Sequence, residues 1–338
     1  MLMKSKKLCI IALFIVGMMT IVTGCGSGSQ TSGTSDSSKK EVTVKIGADS
    51  SAFSTLFYVA RDKGYFEKHG IEAQINPYSY GIDTIDAVLT NQVDVGLAMD
   101  FAALSRLSSG DLKIFAFNQQ VDSSKEKVVA RDGINSPGEL KGQSIAVKRG
   151  TVDEYAMVRY LEKYNIKIDE VKKQGFSSDA EILSAFQKGD VKATFFSGNL
   201  LDKALQVQGA KVIGSKADIP FASRGFLLAN SKFLGQKDVA KNILLALNDA
   251  TKYINENPAG AAEVMTKALK IPQDSLEKDI KSRSNDIRLN DDDVKQLQEV
   301  YEYASDSKLI KGGFNLKDKI DTNPLKAALP GKLTYKPE

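Results

Sequence analysis

From residue 41 onward the chain alternates between two hydrophobic rhythms. Val42, Val44 and Ile46 recur at every second position and run into Gly47, the period of a strand with one buried face. Ser54-Thr55 then precede Leu56, Val59 and Ala60 at helical spacing, and Gly64 and Gly70 bracket a turn at residues 65–69. Residues 71–76 read as a second strand, 81–90 as a helix, 93–98 as a third strand and 101–109 as a further helix. Such alternation predicts an α/β fold, with a mostly parallel sheet flanked by helices.

The pattern then restarts. Ser144-Ile145-Ala146-Val147 followed by Lys148-Arg149-Gly150-Thr151 repeats the strand-to-loop opening at Val44-Lys45-Ile46-Gly47, and residues 152–164 supply the helix behind it. Residues 185–193 likewise echo residues 88–96 as helix end, tight turn and strand. Two similar lobes are expected, with strand-like runs at 127–130 and 225–229 carrying the chain into and out of the second. Lobe 1 would hold residues 41–126 and 224–338, and lobe 2 residues 127–223. Beyond Ala229 the spacing turns helical: Val239, Ile243, Leu247, Ala250 and Ile254 keep one face apolar until Asn257-Pro258, where proline stops the helix. Val294, Leu297, Tyr301 and Ala304 predict another. The Asp291-Asp292-Asp293 run before it lacks the alternating acid and glycine pattern of a calcium loop and reads as acids at a helix N-terminus.

The N-terminus changes the apparent charge. Lys4, Lys6 and Lys7 precede an uncharged stretch from Leu8 to Thr23, and Val22-Thr23-Gly24-Cys25 puts small residues just before a cysteine, the pattern of an export signal over residues 1–24. Removing it takes away three of 46 basic side chains and none of 42 acidic ones, leaving 43 against 42. A nearly neutral surface argues against nucleic acid as a partner. Residues 26–40, dominated by Ser, Gly and Thr, form a flexible tether. The chain of 338 residues has one histidine and two cysteines, which excludes His-rich zinc sites, disulfide scaffolds and iron–sulfur clusters. No cofactor and no metal are expected, nor does any phosphate-binding Gly-x-x-x-x-Gly-Lys-Ser/Thr loop occur.

Several strings together resemble the extracytoplasmic solute-binding proteins of ABC importers, in the nitrate, sulfonate and taurine branch that includes thiamine-precursor binders. They are Ala60-Arg61-Asp62-Lys63-Gly64-Tyr65-Phe66-Glu67-Lys68-His69-Gly70-Ile71-Glu72, Asn91-Gln92-Val93-Asp94-Val95-Gly96, and the run from Ser136 to Val147. Val22-Thr23-Gly24-Cys25 resembles a lipobox, which implies acylation of Cys25 and anchoring at the outer membrane face. The resemblance implies a two-lobed periplasmic-binding-protein fold of type II that holds a small solute in its cleft. It also implies delivery of that solute to permease subunits driven by a cytoplasmic ATPase, by a monomeric, non-enzymatic receptor. A pyrimidine-synthase-like enzyme of the same fold is the alternative from another class, and a sensory module that does not import is a third.

In α/β sheets ligands sit beyond the carboxyl ends of strands, where helix N-termini offer free N–H groups. This places Asp49, Ser50, Ser51, Phe53 and Ser54 after the first strand and Met99, Asp100 and Phe101 after the third, while the family resemblance implies a further cleft junction at Tyr80. In the second lobe it places Arg149, Thr151 and Asp153 at the opening, and Phe196, Ser197 and Asn199 after a later strand. Asp100 and Thr151 are expected to share one cavity. Ser51, Ser54 and Thr151 serve either as helix caps or as ligand contacts, and Phe53, Phe101 and Phe196 either as core or as stacking surfaces. Arg149, aided by Arg224, is the candidate clamp for a carboxylate or sulfonate. Asp49, Asp100 and Asp153 as a group suit an amine-bearing ligand. Sulfonate binders often carry Trp-Asp-Pro where this chain has Ser197-Gly198-Asn199, and the chain has no tryptophan. That points away from a plain alkanesulfonate, toward a taurine-like zwitterion or a heterocyclic precursor. His69 is expected to end a helix away from the cleft.

Overall fold

The computed structural model describes residues 41–149, 151–219, 222–306 and 308–336. The signal segment, Cys25 and the tether lie outside the described residues.

Strand β1 (Val42–Asp49) buries Val44, Ile46 and Ala48, as the period-two pattern requires. It pairs in parallel with β2 (Ile71–Tyr78) and with β3 (Val95–Met99). The helix Gly81–Leu89 lies close against this trio because Gly47 and Gly96 have no side chain. A Cβ on Gly47 would sit 2.9 Å from Thr84 Cβ, and one on Gly96 2.9 Å from Thr84 Oγ1. Thr84 Oγ1 in turn donates to Leu97 O at 2.8 Å and accepts from Leu97 N at 3.0 Å. Strand β4 (Lys113–Val121) completes the first part of this sheet, and the chain then crosses to lobe 2.

Lobe 2 contains β5 (Lys127–Ala130), β6 (Ser144–Lys148), β7 (Lys172–Phe176), β8 (Ala193–Phe196) and β9 (Lys211–Ser215), in the spatial order β7-β6-β8-β5-β9. Successive residues face opposite sides: Val128, Ile145, Val147 and Phe195 join one core, while Val129, Ala146 and Phe196 join another. Helices therefore cover both faces. The chain returns through β10 (Arg224–Ala229) and later adds β11 (Arg283–Arg288), giving the first sheet the order β11-β4-β10-β3-β1-β2.

Among the named strands, parallel pairing is confined to the repeating strand–helix units, β2-β1-β3 and β7-β6-β8. The strands next to the crossings, β10 and β5, run antiparallel to their neighbours, because each enters its sheet from the opposite lobe rather than through a helix. The two crossings lie side by side: Val121 N donates to Ser223 O at 2.9 Å, and Lys216 N to Glu126 O at 2.9 Å.

The helix Lys237–Glu256 ends where expected, and Asn257 then caps the helix Pro258–Leu269 by accepting from Gly260 N at 3.0 Å. Asn290 and Asp293 cap the helix Asp291–Asp306 reciprocally, at 2.7 and 3.3 Å. His69 follows the helix Tyr65–Lys68, with Nε2 3.1 Å from Asp249 Oδ2. Among the described residues no helix is long and apolar enough to cross a membrane.

Candidate functional site

Between the two sheets lies a cleft of about 980 Å³. The strand ends on both sides deliver its walls. Asp49, Ser50, Ser51 and Phe53 come from the end of β1, Tyr80 from the start of the helix Gly81–Leu89, and Met99 from the end of β3. Thr151 and Asp153 come from the start of the helix Val152–Lys163, and Ser197 and Asn199 from the start of the helix Gly198–Leu205. First-turn N–H groups have no partner within their own helix, and at these starts several are taken up by the capping residue.

Capping and lining coincide at two of these positions. Ser51 Oγ accepts from Phe53 N at 3.1 Å and donates to Asp49 Oδ2 at 2.8 Å. Thr151 Oγ1 accepts from Asp153 N at 3.2 Å and donates to Lys148 O at 3.0 Å. Asp49 also accepts from Ser54 Oγ at 2.7 Å. Burial pushes the Asp49 carboxyl up, against the pull of these hydroxyls and of Arg283.

Six of the sequence candidates do not line the cleft. Ser54 is fully buried behind Asp49. Asp100 is enclosed too, so it and Thr151 do not share the cavity; it accepts from Phe101 N, Arg224 N and Gln296 Nε2 at 2.8, 3.2 and 3.3 Å. Phe101 stacks on Tyr155, and Phe196 packs edge-on against Phe186 inside lobe 2. Arg149 is exposed and donates to Gly175 O at 3.0 Å, over the outer strand β7. Arg224 is buried against the helix Asp291–Asp306, with Nη2 2.6 Å from Asp292 Oδ2 and Nη1 3.3 Å from Asp293 Oδ1. Both arginines named from the sequence thus serve the lobes themselves.

The charged wall comes instead from residues the sequence analysis passed over. Lys148 lies 3.0 Å from Asp153 and 2.9 Å from Asp179, and Lys216 lies 2.5 Å from Glu126 and 2.6 Å from Asp153. Burial alone would raise the Asp153 carboxyl, but Lys148 and Lys216 outweigh it and hold that carboxyl far below its usual range. Burial likewise opposes the charge of both lysines, yet their carboxylate partners keep both above the usual ammonium range. Asp153 is therefore an internal counter-ion. On the lobe 1 side stand Asp279 and Arg283; burial pushes Asp279 up, and Arg283 partly offsets this.

Lys148 was within reach of sequence reasoning, since it ends the strand that begins lobe 2. Arg283, Lys216 and Glu126 were not. Arg283 reaches the cleft only because β11 pairs with β4 at the edge of the first sheet, and Glu126 and Lys216 sit on the two crossings. Pairing over such separations leaves no local pattern.

Several polar atoms of the lining are buried without a hydrogen-bond partner among the described residues: Tyr80 Oη, Ser223 Oγ, Glu126 Oε2, and Arg283 Nε and Nη1. Unpaired buried groups are costly, on the order of 1–3 kcal/mol each, so their collection in one cleft suits a polar guest. Among the described residues no group of three or more His, Cys, Asp or Glu side chains is placed to hold a metal ion.

Comparison with known proteins agrees with this fold. A protein of Bacillus subtilis (strain 168), provisionally named an aliphatic sulfonates-binding protein, is 24% identical over 94% of this chain and 96% of its own. The alkanesulfonate-binding protein SsuA of Xanthomonas axonopodis pv. citri, solved with MOPS bound, superposes with a TM-score of 0.73 at 16% identity, covering 84% of this chain and 99% of that one. The desulfurization enzyme DSZB shares the fold, with a TM-score of 0.64 at 14% identity over 86% and 99% of the two chains. The family model described as NMT1/THI5 like matches residues 52–261, more than half of the sequence. The fold is that of periplasmic binding proteins, and the chain belongs to the NMT1/THI5-like family.

Proposed function

We propose that the protein is the extracytoplasmic substrate-binding lipoprotein of an ABC importer, which closes its two lobes on a small polar solute and delivers it to a membrane permease. The observation that carries this reading is the cleft itself, where unpartnered donors and acceptors gather in about 980 Å³ between two lobes joined by paired crossings. A cavity of this size and mixed character suits a small molecule, and hinge closure is the motion that two such crossings allow. The name of the Bacillus subtilis relative supports a sulfonate-like solute, and the mixed charge of the walls supports a zwitterion of the taurine kind. Acylation at Cys25 would hold this monomeric receptor beside its permease, with lobe 2 spanning residues 127–223.

A micromolar dissociation constant needs about 8 kcal/mol net, which a few buried hydrogen bonds and one ion pair supply. The test is thermal unfolding of the full-length protein with taurine, ethanesulfonate, nitrate, a hydroxymethylpyrimidine and amino acids in turn. A binding solute at a hundredfold excess over its dissociation constant adds roughly 2.7 kcal/mol of stability. No shift with any of them would contradict the receptor reading.

A further inference from the structure

Among the described residues, the cleft wall contains one cation and one anion with buried atoms left unpaired. Arg283 opens β11, and its Nε and Nη1 are buried without a partner among the described residues. Glu126 ends the first crossing: its Oε1 lies 2.5 Å from Lys216 Nζ, while its Oε2 is buried and unpartnered. Of the other ionic groups here, Asp279 and Asp49 both feel the charge of Arg283 across the cleft wall, and others are held more closely. Lys148 and Lys216 each contact two carboxylates, and Asp49 is held by two serine hydroxyls.

Backbone register locates both. Arg283 pairs with Val121, whose N–H donates to Ser223 O, so Arg283, Val121 and Ser223 form one row across the end of the first sheet. The Ser223 hydroxyl in this row is also buried and has no partner among the described residues. Glu126 follows Val121 along the same crossing and leads into β5. The unmet cation thus belongs to lobe 1 and the unmet carboxylate oxygen to the threshold of lobe 2.

We propose that Arg283 is the anion anchor of the cleft, assisted by Ser223, and that Glu126 receives an ammonium group at the other end of the solute. The solute is then a small organic acid that carries an amine, oriented with its acid toward lobe 1. A planar guanidinium matches carboxylate or sulfonate oxygens, and a ligand that satisfies both groups couples its own binding to the approach of the lobes. This rests on the reading of the cleft as a solute site.

Isothermal titration of the full-length protein, as wild type, Arg283→Gln and Glu126→Gln, with taurine and with ethanesulfonate as probes, tests it. Removing one partner of a desolvated charge pair weakens binding by roughly 30-fold or more. Arg283→Gln should do so for both probes. Glu126→Gln should weaken taurine at least about tenfold and leave ethanesulfonate within about threefold. Arg283→Lys, which keeps the charge but loses the fork, should fall between wild type and Arg283→Gln, and it carries the test should the glutamine variant not fold. Wild-type affinity surviving in the Arg283 variants overturns the anchor while the receptor reading stands; equal loss of both probes in Glu126→Gln overturns the orientation. Wild type binding neither probe removes the sulfonate-class reading and the inference with it.

Discussion

Tyr155 of lobe 2 stacks on Phe101 of lobe 1, with ring centroids 5.5 Å apart and planes 18° from parallel. Tyr303 meets Tyr155 edge-on, also at 5.5 Å, and Arg159 lies over the Tyr303 ring at 4.1 Å. Val152 and Tyr155 pack into the core of lobe 1 although their helix belongs to lobe 2. One flank of the cleft is thereby held shut by aromatic contact. Tyr155→Ala should cost about 3–5 kcal/mol of stability in urea unfolding. A double-mutant cycle with Phe101→Leu should return about 0.5–1.5 kcal/mol of coupling. Coupling near zero would show that the stack does not join the lobes.

Lys216 is wholly buried between Glu126 and Asp153. Lys216→Met leaves the Glu126 carboxylate without its cation and Asp153 with Lys148 alone, so a loss of about 3–5 kcal/mol is expected. The triple change with Glu126→Gln and Asp153→Asn should recover much of it. Chemical denaturation of the single and triple variants checks this, and a single variant as stable as wild type would refute the role given to Lys216.

Asp100 clasps the return crossing through Arg224 N and holds Gln296, which donates also to Ala222 O at 2.6 Å. Burial pushes its carboxyl up to about 7, against the pull of its hydrogen bonds and of Lys216 and Arg224. An acid raised on folding takes up a proton as the chain folds. Its stabilising share is therefore complete at low pH and is lost as pH climbs through about 7. Between about pH 4, its unfolded value, and pH 7 this one group should make stability fall by up to ~1.4 kcal/mol per unit. Asp100→Asn removes that slope. The stability of wild type minus that of the variant should decline from pH 4.5 to 7.5; a flat or rising difference would contradict the assignment.

Gly198 starts a lobe 2 helix at a positive φ of 52°, and a Cβ there would overlap the carboxylate of Asp279, which belongs to the lobe 1 helix Gln273–Lys281. Gly198→Ala should therefore push these elements apart at the cleft mouth. Solute affinity is expected to fall about tenfold or more, and Asp279→Ala combined with it should restore part of the loss. Equal affinity in Gly198→Ala would mean that closure does not bring these residues together.

Much of this architecture was legible because it rests on local rhythm. Val44 and Ile46, Ser144 to Val147, and the apolar face from Val239 to Ile254 each announced their element. The cleft followed from the rule that loops after parallel strands face the ligand side, which located Asp49, Ser51, Thr151 and Ser197, while Tyr80 came from the family resemblance. What escaped was set by distance along the chain. Arg224 lies next to the cleft in sequence terms, but the acids at Asp292 and Asp293 hold it buried against their helix. Arg283 follows a polar helix with nothing nearby to mark it, and becomes a cleft residue only through its pairing with Val121. Phe101 and Phe196 were placed at the correct strand ends, yet apolar rings there found aromatic partners inside the lobes instead of solute.

The proposed receptor role requires one small solute in the space between the lobes. Native mass spectrometry of the full-length protein, incubated with the solute panel, measures it directly in wild type and in Asn199→Trp, a change that fills the cleft wall without entering either core. A single adduct per chain in the wild type, absent in the variant and released on unfolding, is the predicted result. An adduct of equal abundance in both proteins, or none in either, would contradict the account.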